Sequence, residues 1–163
     1  MQGCGVQDWK ISPTIMQRFL QRCAKQYHAG NPYHNAAHAA DVTQGMAIMM
    51  RMGLGSKLTI IERTALLLAA AVHDLGHPGV NNSFLVSTRD HWAVVYNDRS
   101  VNENMHISQA FVIAHEVGLF AQLDDEEYRE VRCSLLDWGC LWRHHHCPVV
   151  CDDSTHAYAH ISR

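Results

Sequence analysis

The sequence has no apolar run long enough to cross a membrane and no cluster of basic residues. Its longest uninterrupted apolar run covers residues 65–72, whereas a membrane-spanning helix requires about 20 residues. Lys and Arg are scattered and the formal net charge is -3, so no basic stripe indicates a nucleic-acid partner. Residues 1–9 lack the basic flank and apolar core of a signal peptide. We therefore expect no membrane insertion, no nucleic-acid partner and a cytoplasmic location.

The sequence also lacks a strand pattern, because no segment alternates convincingly between apolar and polar residues with period two. It contains no repeat and no low-complexity linker. A length of 163 residues and a hydrophobic fraction of 47% suit one globular domain with a buried core. We therefore predict an all-α fold, a bundle of about six helices.

Helix start and stop signals divide the first half of the chain. Ser12 followed by proline predicts a helix over about residues 13–28. The run "YHNAAHAADVTQGMAIMMRMG" has no internal breaker and predicts a second helix. Thr59 and Glu62 form a capping-box pattern that opens a third helix. Its later residues, 65–72, are apolar all round, so this helix is expected in the middle of the protein.

The second half of the chain repeats these signals. "NNSFL" reads as a loop and "RDHWAVVYND" as a short helix. Ser100 with Glu103 repeats the capping-box pattern and predicts a helix to about His115. The same pattern at residues 124–127 predicts a last helix over about residues 125–142, which proline ends at "HHHCP".

The sequence contains 13 histidines, as many as Lys and Arg together, so metal ligation and proton transfer are the first activities to consider. His34 and His38 are four residues apart. The same spacing separates His73 from His77, so on helices each pair would share one face. Asp74 follows His73 at the end of the apolar helix. Burying such an ionisable pair costs several kcal/mol unless the groups are paired or bind a metal.

Three of these side chains suit a metal ion. His38, His73 and Asp74 would come from two helices and supply nitrogen and oxygen ligands to a zinc-like ion. The alternative is that each histidine is a surface residue or a hydrogen-bonded core residue. The spacing of the residues alone leaves both interpretations open.

Three sequence blocks carry a more specific resemblance: "PYHNAAHAADV" at 32–42, "HDLGHPGVNNSFL" at 73–85 and "YNDRSVNEN" at 96–104. In this order they resemble the successive motifs of the class I 3',5'-cyclic-nucleotide phosphodiesterases, a branch of the HD-domain metallohydrolases. The resemblance covers about residues 8–137. It implies the N-terminal part of that family's helical catalytic domain, truncated, with residues 138–163 as a divergent tail.

The resemblance implies a role for each matching position near the first block. His34 would be the general acid, and Tyr33 would line the substrate pocket beside it. The ligands of a tightly held zinc ion would be His38, His73 and Asp74.

The resemblance also implies a second divalent ion, magnesium or manganese, with Asp74 as the bridge between the two ions. His77 and Glu103 would hold waters on the second ion. Asn35 and Asp41 would support the site.

The implied activity is hydrolysis of cyclic AMP, cyclic GMP or both to nucleoside 5'-monophosphates in signal transduction. Two cations about 3.5 to 4 Å apart can share a water and lower its pKa from 15.7 toward about 7. The resulting hydroxide would attack phosphorus in line, and His34 would donate a proton to the leaving 3'-oxygen.

The chain departs from the family pattern after Asp137. The family's second aspartate ligand, its purine-binding glutamine and its aromatic clamp have no counterpart here. Beside Glu103 the family usually has two histidines, where this chain has Met105 and then His106. We therefore expect weakened metal binding and little turnover in this chain alone.

Two other interpretations follow from the departures. One is a non-catalytic regulatory or dimerising fragment that retains a partial metal site and forms a homo-oligomer or pairs with a full-length relative. The other is a different HD-type hydrolase acting on nucleotides or phosphomonoesters. The long matches at "YHN" and "HPGVNN" favour the cyclic-nucleotide assignment over the latter.

The last part of the chain offers a rival metal site. His144, His145, His146, Cys147 and Cys151 are potential ligands within eight positions. Their spacing matches no common zinc module, so this site is the weaker hypothesis.

Overall fold

The computed structural model describes residues 11–141, and side chains within 11–137. All regular elements in this range are helical, and the all-α prediction is confirmed for it. Seven α-helices form instead of about six: Pro13–Gln26 (α1), Ala36–Arg51 (α2), Ile60–Val72 (α3), Asn82–Ser87 (α4), His91–Val95 (α5), Val101–Val117 (α6) and Asp125–Leu141 (α7). In this part of the chain, none of the helices combines the length and the apolarity needed to cross a bilayer.

Helix α3 lies at the centre of the fold, as its apolar sequence predicts. Its buried residues are Thr64, Ala65, Leu66, Leu68, Ala69, Ala70 and Val72. It packs against α2, α6 and α7, and Phe19, Ile113 and Leu135 from other helices join the same core. Full burial of one such large apolar side chain contributes about 1.5–3 kcal/mol. The core therefore fixes where the C-terminal end of α3 lies.

Two of the three predicted capping boxes are present. Thr59 accepts the N–H of Glu62, whose carboxylate accepts the N–H of Thr59 in return. Asp124 and Glu127 make the same reciprocal hydrogen bonds at the start of α7. These residues begin their helices where the sequence predicts.

The predicted capping box of Ser100 and Glu103 is wrong. Ser100 adopts a left-handed backbone with φ 42° and makes no side-chain cap, because a capping hydroxyl is directed at the helix by an extended backbone. Asn82 supplies the cap from α4 instead. Its Oδ1 accepts the N–H of Asn102, and its Nδ2 donates to Glu103.

The prediction of a loop at "NNSFL" is also wrong, because this segment forms most of α4. Asn81 caps the helix by accepting the N–H of Phe84 at 2.9 Å. Asparagine is favoured both in turns and at helix N-termini, so the sequence pattern admitted both structures.

The two histidine pairs do not share helix faces as predicted. Asn35 caps α2 by accepting the N–H groups of Ala37 and His38, so His34 lies before the helix. At the other pair, α3 ends at Val72 and His73 is its C-cap. A turn then carries the chain to His77, which places both pairs at helix ends rather than along a helix.

The Thr59 capping box provides a test of the local assignment. We expect Thr59→Ala to lower the free energy of unfolding by about 1 kcal/mol, because the N–H of Glu62 loses its partner. Urea denaturation of the chain measures this loss. Ser12→Ala is the control, since Ser12 starts α1 without a side-chain cap. Equal losses in the two variants would contradict the assignment.

Candidate metal centre

Three predicted ligand side chains converge at the end of α3. His38 comes from α2, and His73 and Asp74 follow the last residue of α3. The Nε2 atoms of the two histidines are 3.3 Å apart. The Asp74 Oδ2 atom lies 3.6 Å from His38 Nε2 and 3.1 Å from His73 Nε2. All three side chains are largely shielded from solvent, so their mutual electrostatics are only weakly screened.

The protonation of His73 shows what this arrangement requires. Its Nδ1 lies 2.9 Å from the carbonyl oxygen of Ala70, which only accepts, so Nδ1 carries a proton. In the neutral imidazole Nε2 then presents a lone pair toward the carboxylate of Asp74. Two facing lone pairs repel unless a proton or a cation lies between them. Two imidazole nitrogens and one carboxylate oxygen fit a zinc-type cation, and a ring N–H bound to a carbonyl is the usual second contact of a metal-ligating histidine.

A proton meets the same requirement in the chain without metal. Burial lowers the pKa of His73, but its hydrogen bonds to Asp74 and to the Ala70 carbonyl outweigh burial, so the pKa rises above its ordinary value of 6.5. Burial raises the pKa of Asp74, yet the hydrogen bond and positive charge of His73 bring it below 3.8. Protons and cations therefore compete for the same position.

A second group of potential ligand atoms shares Asp74 with the first. His34, His77 and Asp74 each offer one atom, and these atoms lie within 4.8 Å of one another, as they do in the first group. The rings of His34 and His77 stack with centroids 3.9 Å apart and planes at 9°. Asp74 is thus common to both groups.

His77 is held as a neutral imidazole with a defined tautomer. The backbone N–H of Gly79 donates to Nδ1 at 3.0 Å, so the ring proton is on Nε2. Burial, together with the neighbouring His34, lowers the pKa of His77. The side chain therefore offers Nε2–H as a donor.

The other predicted site residues occupy different surroundings. Tyr33 is exposed, with its ring 4.3 Å from that of His38. Glu103 accepts a hydrogen bond from Asn82, and its charge acts on His77. Asn35 caps α2, as described above. Asp41 is exposed on α2, three residues after His38.

Sequence reasoning missed the structural part that His106 plays. Its side chain is 2% exposed, and its Nδ1–H donates to the Leu75 carbonyl at 2.6 Å. Its ring stacks on His77 with centroids 5.5 Å apart. A histidine between the buried Met105 and Ile107 was the available signal, because a polar residue in a core position needs a partner.

The rival metal site in the tail lies outside the described residues. Its five histidines and cysteines fall within 144–151, beyond the last described position of α7.

Comparison with known proteins identifies the family to which the chain belongs. The family model described as 3'5'-cyclic nucleotide phosphodiesterase matches residues 33–138. The 3',5'-cyclic-AMP phosphodiesterase 4 of Dictyostelium discoideum is 37% identical over 130 residues, which is 78% of this chain and 12% of that protein. The human dual specificity calcium/calmodulin-dependent 3',5'-cyclic nucleotide phosphodiesterase 1B is 41% identical over 133 residues, or 79% of this chain and 25% of that protein.

Solved structures agree with the sequence matches. The phosphodiesterase domain of a Salpingoeca rosetta rhodopsin phosphodiesterase superposes with a TM-score of 0.77 at 32% identity, covering 82% of this chain and 41% of that chain. The chain therefore spans less than half of that domain and no more than a quarter of the two curated relatives named.

Burial of His106 predicts a pH dependence of stability. Burial lowers the pKa of this imidazole to about 4, whereas the unfolded chain binds the proton near pH 6.5. The free energy of unfolding should therefore fall by up to about 3 kcal/mol as the pH drops from 6.5 to 4. Urea denaturation of the metal-free chain at several pH values measures this slope.

His106→Gln should flatten that slope, since glutamine can keep a donor toward Leu75 without titrating. His115→Gln, which replaces an exposed histidine on the same helix, should leave the slope unchanged. The prediction fails when His106→Gln retains the wild-type pH dependence.

Proposed function

Because the chain belongs to the 3',5'-cyclic nucleotide phosphodiesterase family, we propose that it is part of an enzyme that hydrolyses cyclic AMP, cyclic GMP or both. The product is a nucleoside 5'-monophosphate, and the process is signal transduction. The observation that carries the proposal is the position of Asp74, whose carboxylate belongs to two adjacent groups of potential ligand atoms. Such a shared carboxylate suits a two-cation site for phosphodiester hydrolysis.

In this proposal His38, His73 and Asp74 hold a zinc ion. Asp74 would also bind a second divalent ion, magnesium or manganese, and His77 and Glu103 would hold its waters. When bound, the cations supply Lewis-acid activation of a water and neutralise negative charge on the phosphate. The hydrogen bond from Gly79 to Nδ1 leaves the ring proton of His77 on Nε2, where it could donate to such a water.

His34 is proposed as the general acid for the leaving 3'-oxygen. Its half-buried ring is stacked on His77, and the ring of Tyr33 lies 5.1 Å away on an exposed side chain. A substrate can therefore approach from the Tyr33 side, and Tyr33 is proposed to line its pocket. Proton donation by a positioned side chain typically contributes 10²- to 10⁴-fold to the rate.

Asn35 and Asp41 are proposed as supporting residues. Asn35 caps α2 and would thereby fix the backbone positions from which the side chains of His34 and His38 extend. The domain assignment is likewise proposed: residues 8–137 as the N-terminal part of the catalytic domain, and 138–163 as a divergent tail. Residues 8–10 and 142–163 of this assignment lie outside the described range. A cytoplasmic location is part of the same proposal.

The alternative function is a non-catalytic regulatory or dimerising fragment with a partial metal site. The chain covers 41% of a solved phosphodiesterase domain. Such a fragment would form a homo-oligomer or pair with a full-length relative. A change in the size or rate of that relative on mixing distinguishes this function from catalysis by the chain itself.

Hydrolysis is tested by incubating the purified chain with cyclic AMP or cyclic GMP, Mg²⁺ and Zn²⁺. We expect slow release of nucleoside 5'-monophosphate, and a loss of about 10²- to 10⁴-fold in His34→Gln because the proton donor is gone. His115→Gln, at an exposed position on α6, should retain the wild-type rate. Absence of product beside an active full-length relative would sink catalysis by this chain and leave the alternative.

Metal binding is tested by equilibrium dialysis against zinc, followed by metal analysis. We expect one zinc ion held by the first group. His73→Ala and Asp74→Asn should weaken binding by more than the 10- to 100-fold typical of an outer-sphere partner. Affinity should also fall as the pH is lowered, because the raised pKa of His73 makes protons effective competitors. Replacing the exposed His91 with alanine is the control, and equal affinity in all variants would contradict the ligand assignment.

A further inference from the structure

Asn31 joins the two chain segments that carry His34 and His77. Its Nδ2 atom lies 2.7 Å from the carbonyl oxygen of His77 and 3.2 Å from that of His34. A side-chain amide nitrogen carries two hydrogens, so it can donate one to each carbonyl. The Asn31 side chain therefore links the backbone at His34 to the backbone at His77, which is 46 residues from Asn31 in the sequence.

The orientation of this amide follows from its partners. Both nearby groups at Nδ2 are carbonyl oxygens, which only accept, so the nitrogen must face them. Oδ1 then points toward Gly79, whose Cβ, if present, would lie 3.0 Å from it. Gly79 also has φ +83°, a conformation that side chains other than glycine rarely adopt. Glycine at this position is what allows the Asn31 amide to sit so close to the turn.

The backbone of Asn31 is itself anchored on both sides. Its N–H donates to the carbonyl of His28, just after α1. Its carbonyl accepts from Nδ2 of Asn35, the residue that caps α2. The amide therefore acts from a fixed frame rather than from a free loop.

The two rings that stack at 3.9 Å belong to His34 and His77, the carbonyl-bearing residues that Asn31 joins. His34 precedes α2 and His77 follows the end of α3, so no helix fixes their separation. Another side-chain anchor near His77 is the 2.6 Å hydrogen bond from His106 to the Leu75 carbonyl. That bond holds the turn against α6 but does not determine the distance between His77 and His34.

We propose that Asn31 is a positioning residue that holds His34 in register with His77 and Asp74. This inference rests on the function proposed above, in which His34 is the general acid and Asp74 is the ligand shared by the two ions. Asn31 touches neither imidazole ring. It acts through the two backbones, so its loss should separate the acid from the ion-binding groups while leaving the first group of ligands intact.

The test compares Asn31→Asp with Asn104→Asp in the full chain. Asn31→Asp keeps the shape of the side chain but turns a donor into an oxygen facing two carbonyls. Asn104 is a matched control, because its Nδ2 also donates to two carbonyls, those of Arg99 and Ser100. Urea denaturation shows whether the two substitutions cost similar stability.

The deciding measurement is an NMR spectrum of the histidine rings in the metal-free chain. We expect Asn31→Asp to shift the ring resonances of both His34 and His77, because the stack opens, and Asn104→Asp to leave both in place. Zinc affinity should change less than about 10-fold in Asn31→Asp, below the usual loss for a direct partner of a ligand. Asn31→Ala, which removes the donor without repulsion, should give the same pattern if Asn31→Asp does not fold.

Hydrolysis of cyclic nucleotide gives a second readout. In Asn31→Asp, kcat should fall about 10-fold or more with little change in KM, as expected for a partner of a site residue. Unshifted His34 and His77 resonances in both Asn31 variants would overturn the positioning role. An inactive wild-type chain would count against catalysis alone, because the NMR comparison does not depend on turnover.

Discussion

The structure depends on a set of electron pairs that face one another at the end of a buried helix. His38, His73 and Asp74 bring two imidazole nitrogens and a carboxylate oxygen to within 3.1–3.6 Å. This arrangement is favourable only with positive charge between the atoms, whether a proton or a divalent ion. The apolar packing of α3 fixes the position of its C-terminal end, and therefore the positions of His73 and Asp74. Because these side chains are largely shielded from water, solvent does little to relieve the repulsion between them.

The surrounding residues position these three side chains by hydrogen bonding to the backbone, not by binding the ions themselves. Asn35 fixes the start of α2, Asn82 links α4 to the first turn of α6, and His106 holds the Leu75 carbonyl. Each uses a side chain to satisfy a main-chain group at the end of an element, where helices leave donors and acceptors unpaired. The polar side chains needed for packing the helix ends thus also orient the candidate site. Family membership gives this arrangement its context, and the chain contains less than half of a solved domain of that family.

Local sequence patterns predicted the helices well where one signal dominated. The apolar residues of α3 and the Thr59 capping box are two such signals, and the structure confirms both predictions. Prediction failed where one residue type has two uses, as for Asn81, or where a backbone left the expected region, as for Ser100 with φ 42°. The convergence of His38 with His73 and Asp74 was one of two interpretations that the spacing left open, and the resemblance to the phosphodiesterases favoured it. The contacts of Asn31 were not predictable, since its partner His77 lies 46 residues away and no local pattern encodes such a pairing.

Because the Asn31 oxygen lies close to Gly79, substitutions at these two positions, which are far apart in the chain, should affect each other. A methyl group at 79 would lie 3.0 Å from that oxygen, and φ +83° strains any side chain at 79 whatever the space, so a shorter residue 31 would remove only the steric part of the penalty. A side chain at 79 should accordingly cost less stability when residue 31 is small than when it is asparagine, although the backbone strain at 79 remains.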